Sequence, residues 1–222
     1  MSASASAFGF RPAQHWSGLE RARPYLIQST YATTIFKGDP VTLGATTALG
    51  TVIVGATTGD LLGSLAGISY ADATQKPVIS PYWPGAVTGA TPGANGASGA
   101  GGGYQAATTS AIAWVWDDPA TIFEAQTDGT FNAIANVATS AAFLNGAIGG
   151  QMNSVGASAG NTQTGLSAAK LAGSTLIATG GPAQFRVLEP GQQIDNAFLS
   201  DTYVIFQVEI AQHVYRSNKN AV

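Results

Sequence analysis

The sequence predicts a mainly β protein: a single β-barrel or β-sandwich body with long Gly-rich loops and an extended N-terminal arm. Three observations predict it. Short β-branched runs recur between Gly, Pro and Asp breakers at the spacing of a sandwich or barrel. A segment near the C-terminus alternates apolar and polar residues with a period of two. Helix signals are weak, the best being Leu166 to Ala172, where Gly165 and Gly173 limit any helix to about two turns, followed by Ala135 to Leu144.

The first 30 residues read as the arm. They open on small polar residues and carry Pro12 and Pro24, which favour extended backbone over packed helix. Their charge is distinctive. Residues 1–37 hold Arg11, Arg21, Arg23 and Lys37 against Glu20, roughly +3, whereas residues 38–185 hold Lys76 and Lys170 against seven acids, roughly −5. A frayed terminus is the bland alternative, but Phe8, Phe10, Trp16, Leu19 and Tyr25 are too apolar for solvent. The domain itself or a neighbouring subunit is expected to cover them.

The body, residues 31–222, begins with the turn signal Lys37-Gly-Asp-Pro40, where Gly is free to take positive φ and Pro sets the entry to a strand. Strands are expected at Val41–Leu43, Thr51–Val54 and Lys76–Ser80. A low-complexity insertion at 85–103 comes next, and a second Gly-rich stretch spans 145–165. Neither holds enough side chain to offset the cost of ordering its backbone, about 1–2 kcal/mol per residue, so each is a loose insertion or a loop ordered against a partner.

Between them, Ala111–Trp116 is a strand with Ile112, Trp114 and Trp116 on a bulky face and Ala111, Ala113 and Val115 on a flat one. Asp128-Gly129 between Phe123–Thr127 and Thr130–Ile134 predicts a hairpin with a type I′ turn. In the C-terminal strand, Val204, Phe206, Val208, Ile210 and Val214 share one face and Gln207, Glu209, Ala211 and His213 the other. At about ten residues it is expected to cross the whole sheet at the centre of the core.

Composition narrows function. Only 9% of the 222 residues are charged, against about 25% in a typical domain, and a formal charge of −3 does not suit a free-standing nucleic-acid binder. The chain has no Cys, which excludes disulfides, thiolate metal sites and a cysteine nucleophile. Neither a secretory leader nor a membrane-spanning run is recognisable, so the protein is expected to be made in a cytoplasm and to stay soluble until something else captures it.

Catalytic motifs are sparse. His15 and His213 lie at opposite ends with no HExxH spacing, and both are expected to be ordinary, partly exposed histidines. Asp117-Asp118-Pro119 places adjacent acids on opposite faces of a strand end. That suits a turn cap better than a paired acid and base or a calcium loop. The glycine runs lack the Lys-Ser or Lys-Thr of a phosphate loop, and no GxSxG is present. The chain is therefore read as a non-enzyme with no catalytic residues, no metal site and no cofactor.

Several blocks fit together: Gly9-Phe-Arg-Pro12 with Tyr31 to Val41; Leu65 to Tyr70 leading to Lys76 to Gly85; Trp116-Asp-Asp-Pro119 with Phe123-Glu124 and Asp128-Gly129; and Gln207 to Tyr215. This set resembles the small structural proteins of tailed bacteriophages, particularly head decoration (cement) proteins of the outer capsid face. The resemblance covers most of the chain outside the two Gly-rich stretches and consists of strand and turn patterns. It implies a virion protein that stabilises the lattice, with the major capsid protein and copies of itself, a trimer favoured, as partners, and neither nucleic acid, membrane nor small-molecule substrate. Phe8, Phe10, Arg11, Trp16, Arg21 and Arg23 are the expected contact residues, aromatics as anchors and arginines as partners for capsid acids. A tail, neck or fibre component is the alternative, with Trp83, Trp114 and Trp116 exposed beside Asp117 and Asp118 as a carbohydrate surface. A hydrolase would need His213 beside an acid such as Glu209.

Overall fold

The computed structural model describes residues 6–27, 31–44, 50–71, 77–85, 111–129, 147–176, 182–193, 196 and 203–216. The regular structure of these residues is antiparallel β-sheet with a single 3-10 turn at Gly173–Thr175. The strands are β1 (Arg11–His15), β2 (Ala22–Ile27), β3 (Ile35–Phe36), β4 (Pro40–Leu43), β5 (Val52–Val54), β6 (Gly63–Ala71), β7 (Pro77–Ser80), β8 (Tyr82–Trp83), β9 (Ala111–Trp116), β10 (Thr121–Gln126), β11 (Gln151–Met152), β12 (Ser154–Val155), β13 (Gly160–Asn161), β14 (Leu166–Ser167), β15 (Lys170–Leu171), β16 (Phe185–Pro190) and β17 (Ile205–Ile210).

Two sheets, each with its own core, carry the fold. The first has the order β1-β10-β17-β16-β11, so the alternating C-terminal strand is central, as its pattern requires. Val204, Phe206, Val208 and Ile210 are all buried there with Phe123, Phe185 and Phe10. This strand is six residues long, shorter than expected. It ends because the Ala211 and Gln212 N–H groups both turn to the Gln184 carbonyl, at 2.7 and 3.3 Å. Val214 then packs on the other core.

The second sheet has the order β2-β9-β6-β4-β5, with β7 also on β6. Its flat face is the inner one. Ala111, Ala113 and Val115 are buried beneath the fully buried Trp83, whose Nε1–H donates to the Tyr31 carbonyl at 2.9 Å. The edges β2 and β5 meet at one parallel bridge, Leu26 to Thr51, so the sheet curls without closing into a barrel. Leu61 belongs to the first core and Leu62 to the second, so adjacent residues join the two.

Four expectations change. Leu166 to Ala172 forms β14 and β15 in place of a helix. The Ser167 hydroxyl donates to Asp39 and accepts the Ala169 N–H at 2.8 Å, local bonding that competes with helical hydrogen bonds. In the second Gly-rich stretch the described residues 147–165 fold on the chain's own body, where β11, β12 and β13 pair with β16, β15 and β14. At Asp128-Gly129, Gly129 has φ 88° but Ser158 is the one described non-glycine with positive φ, so the turn is not type I′. Finally, the arm is extended, but β1 and β2 are the edge strands of the first and second sheets. The remaining hairpin strand at Thr130–Ile134, the Ala135–Leu144 helix and the 86–103 part of the first insertion lie outside the described residues.

Candidate interaction surface

Between β1 and β2 the chain leaves one sheet and enters the other, and this link projects two large apolar side chains from the described surface. The Gly18 N–H donates to the His15 carbonyl at 2.9 Å, and Gly18 has φ 71°, a left-handed turn suited to glycine. Trp16 is 82% exposed and Leu19 76%. A bulge between Pro12 and Gln14 sets this orientation. Phe10 and Trp16 would share a face of an unbroken strand, but the extra residue reverses the alternation, so His15 turns inward and Trp16 outward.

The expected contact residues therefore divide. Phe10 is a correction: it is 1% exposed and stacks on Phe185 with ring centroids 4.2 Å apart, so it belongs to the core. Arg11 and Arg23 are exposed, each with a side chain 51% accessible, and each is also paired with an acid of the chain's own body. Arg11 pairs with Glu124 at 2.7 Å and lies over the half-buried Phe8 ring, 4.4 Å from its centroid. Arg23 Nε is 3.4 Å from the buried Asp117 carboxylate. Trp16 and Arg21 are exposed as well, joined by Leu19.

Both crossings between sheets, β1 to β2 and β9 to β10, meet at Asp117-Asp118. Asp118 caps its turn as expected, accepting the Ala120 N–H at 2.9 Å, and this bond lowers its pKa against a smaller opposing effect of burial. His15 Nε2 stands 3.3 Å from the same carboxylate. Asp117 accepts a hydrogen bond from the Tyr25 hydroxyl, which also meets the Tyr215 hydroxyl at 2.9 Å. Burial first, then the bond to Asp117, raises the Tyr25 pKa well above the ordinary phenol range.

His213 is fully buried here, which corrects the expectation of partial exposure. Its Nδ1 accepts the Tyr215 N–H at 3.1 Å, and burial, then Arg216, lowers its pKa. Glu209 instead pairs with Arg186 at 2.9 Å and Arg216 at 3.2 Å. The tryptophans do not gather into a sugar groove with the two acids: Trp83 is buried, and Trp114 is 41% exposed opposite Pro24 and Gly67 on the outer face of the second sheet.

Two features had no signal in the sequence. Fully buried Asp39 accepts the Phe36 N–H at 2.8 Å, the Ser158 N–H at 3.1 Å and the Ser167 hydroxyl at 2.5 Å, binding the Gly-rich stretch to the β3–β4 turn. A cleft of about 330 Å³ opens between Phe8, Trp116, Leu166 and Lys37. Both assemble residues more than a hundred positions apart.

No family model, curated protein or solved structure matches the chain. Among the described residues no cluster of three or more His, Asp or Glu could hold a metal ion, and no helix is long and apolar enough to cross a membrane.

Proposed function

We propose that this chain is a structural virion protein that binds the outer surface of a bacteriophage capsid lattice and stabilises it. The observation that carries the reading is the Trp16–Leu19 projection, held on a turn between two sheets and 82% and 76% exposed at its two apolar residues. Burying either side chain is worth about 1.5–3 kcal/mol before the cost of association. One such contact is weak, whereas many copies on a lattice gain by avidity. A sparsely charged surface suits this role, because few charges must be stripped of water at the contacts. The partners in this reading are the major capsid protein and neighbouring copies, with a trimer as the favoured assembly.

The test uses particles stripped of this chain by mild denaturant, to which the full-length protein is added back. Wild-type protein is expected to rebind and to raise the shell's resistance to heating, and the W16A/L19A double variant to stay in solution. Equal rebinding by a folded double variant would overturn the assignment.

A further inference from the structure

The cleft beside Trp116 continues into a second hollow of about 400 Å³, and Leu166, 40% exposed, walls both. Both open beside β14, where the Ser167 N–H donates to the Lys37 carbonyl at 3.0 Å, and together they form a groove along this strand. Its first half has a largely apolar floor, from Phe8, Trp116 and Leu166, and its second half is polar, from Asn161, Thr164 and Ser167. Its charged lining is all of one sign: Arg11 and Lys37 in one half, Lys170 in the other, and no carboxylate among the described lining residues. In a chain of net charge −3 such a concentration is not expected from composition.

The state of these cations matters more than their number. Arg11 is committed to Glu124. Lys37 and Lys170 instead rest near aromatic rings, 6.0 Å from the Trp116 centroid and 5.7 Å from the Tyr203 centroid, and neither has a carboxylate partner among the described residues. Asp39, behind Ser167, is fully buried and taken up by three donors. Lys37 is bridged to Leu166 through backbone, so an ammonium group without a carboxylate partner among the described residues and an exposed apolar side chain are neighbours.

We propose that this groove binds an extended acidic peptide segment bearing an apolar or aromatic residue, the apolar side chain on Leu166 and Trp116 and flanking carboxylates at Lys37 and Lys170. Charge complementarity selects an anion, and the apolar floor selects peptide over nucleic acid, whose recognition needs a longer row of cations for its phosphates. This inference does not rest on the lattice reading, since it concerns a different face from the Trp16–Leu19 projection and needs no particle to test.

The full-length protein is titrated with a fluorescein-labelled peptide of sequence acetyl-Asp-Phe-Glu-Leu-Asp-amide, with its Lys-Phe-Lys-Leu-Lys counterpart and with labelled oligo(dT), following anisotropy at low salt. The acidic peptide is expected to bind at least about tenfold more tightly than either of the others, and to weaken strongly in about 0.5 M salt, where charges are screened within a few ångströms. K37E/K170E, confirmed as folded by an unchanged thermal midpoint, is expected to lose that preference, and L166S to weaken binding of the acidic peptide without changing its salt dependence. Should the double variant destabilise the fold, K37Q alone serves, with a smaller loss expected. Equal binding of both peptides, tighter binding of oligo(dT), or an unaltered preference in the folded lysine variant would overturn the proposal.

Discussion

Asp39 gives the most discriminating test of how this fold is held. Burial raises its pKa from 3.8 to about 6, outweighing three hydrogen bonds that favour the carboxylate. The folded protein therefore keeps a proton on Asp39 at pH values where the unfolded chain has released it. Between pH 3.8 and about 6 the folded state binds more protons, so stability is greatest below this window and falls as pH rises through it. At about 1.36 kcal/mol for each tenfold change in proton affinity, ionised Asp39 costs roughly 3 kcal/mol at neutral pH. Asp39→Asn isolates this effect. Its carbonyl can accept the Phe36 and Ser158 N–H groups while its amide faces the Ser167 hydroxyl, which can reverse its role. Urea unfolding followed by tryptophan fluorescence should show the variant gaining about 3 kcal/mol relative to wild type between about pH 3.5 and pH 7. Other titrating groups are common to both proteins and cancel. A difference that stays constant across that range would refute the reasoning, because burial would then impose no cost on the carboxylate.

The other predictions concern packing and turns. Phe10→Ala should cost about 3–5 kcal/mol, as for other large core truncations, whereas Trp16→Ala should change the urea midpoint by no more than about 0.5 kcal/mol equivalent. Gly63→Ala should prevent folding, measured as loss of soluble expression and of the thermal transition, because its Cβ would lie 2.0 Å from the Trp116 carbonyl oxygen. Gly18→Ala has open space around it but a φ of +71°, so it should lower stability by about 1 kcal/mol. Tyr25→Phe removes the donor to buried Asp117 and should cost about 1.5–3 kcal/mol in the same urea assay.

Strands were legible wherever periodicity and breakers agree. The alternation from Val204 to Ile210 predicted the central strand, and the runs at Val41, Val52 and Pro77 became β4, β5 and β7. Direction was harder to read. Both faces of Ala111–Trp116 were visible, but the small face is the inner one, in a core that also takes in Trp83 from a separate two-residue strand. Phe10 and Trp16 looked alike as apolar residues of one arm, and a one-residue bulge, which leaves no compositional trace, separates core from surface. Leu166 to Ala172 has good helix formers, yet the Ser167 hydroxyl and a buried carboxylate 128 residues away divert the backbone. The candidate surface was legible as residue types and not as geometry: which arginines already have partners depends on Glu124 and Asp117, far along the chain.

The position of the N-terminal segment restricts how the protein can contact anything else. An arm that swung away to reach a neighbour would have to leave both sheets, since β1 is paired with β10 in the first and β2 with β9 in the second. It would also withdraw Phe10 from the first core and Ile27 from the second. Exposing two such side chains alone costs about 3–6 kcal/mol, a large part of the roughly 5–15 kcal/mol by which domains are stable. Contact through a detached arm is therefore unfavourable. The segment can present its turn, Trp16 to Arg21, without unfolding, and hydrogen exchange on assembled particles tests whether it does so. Protection of Arg11–His15 and Ala22–Ile27 amides should match that of the free protein, with new protection confined to the turn; exchange of the strand amides at the rate of unstructured chain would show that the arm does detach.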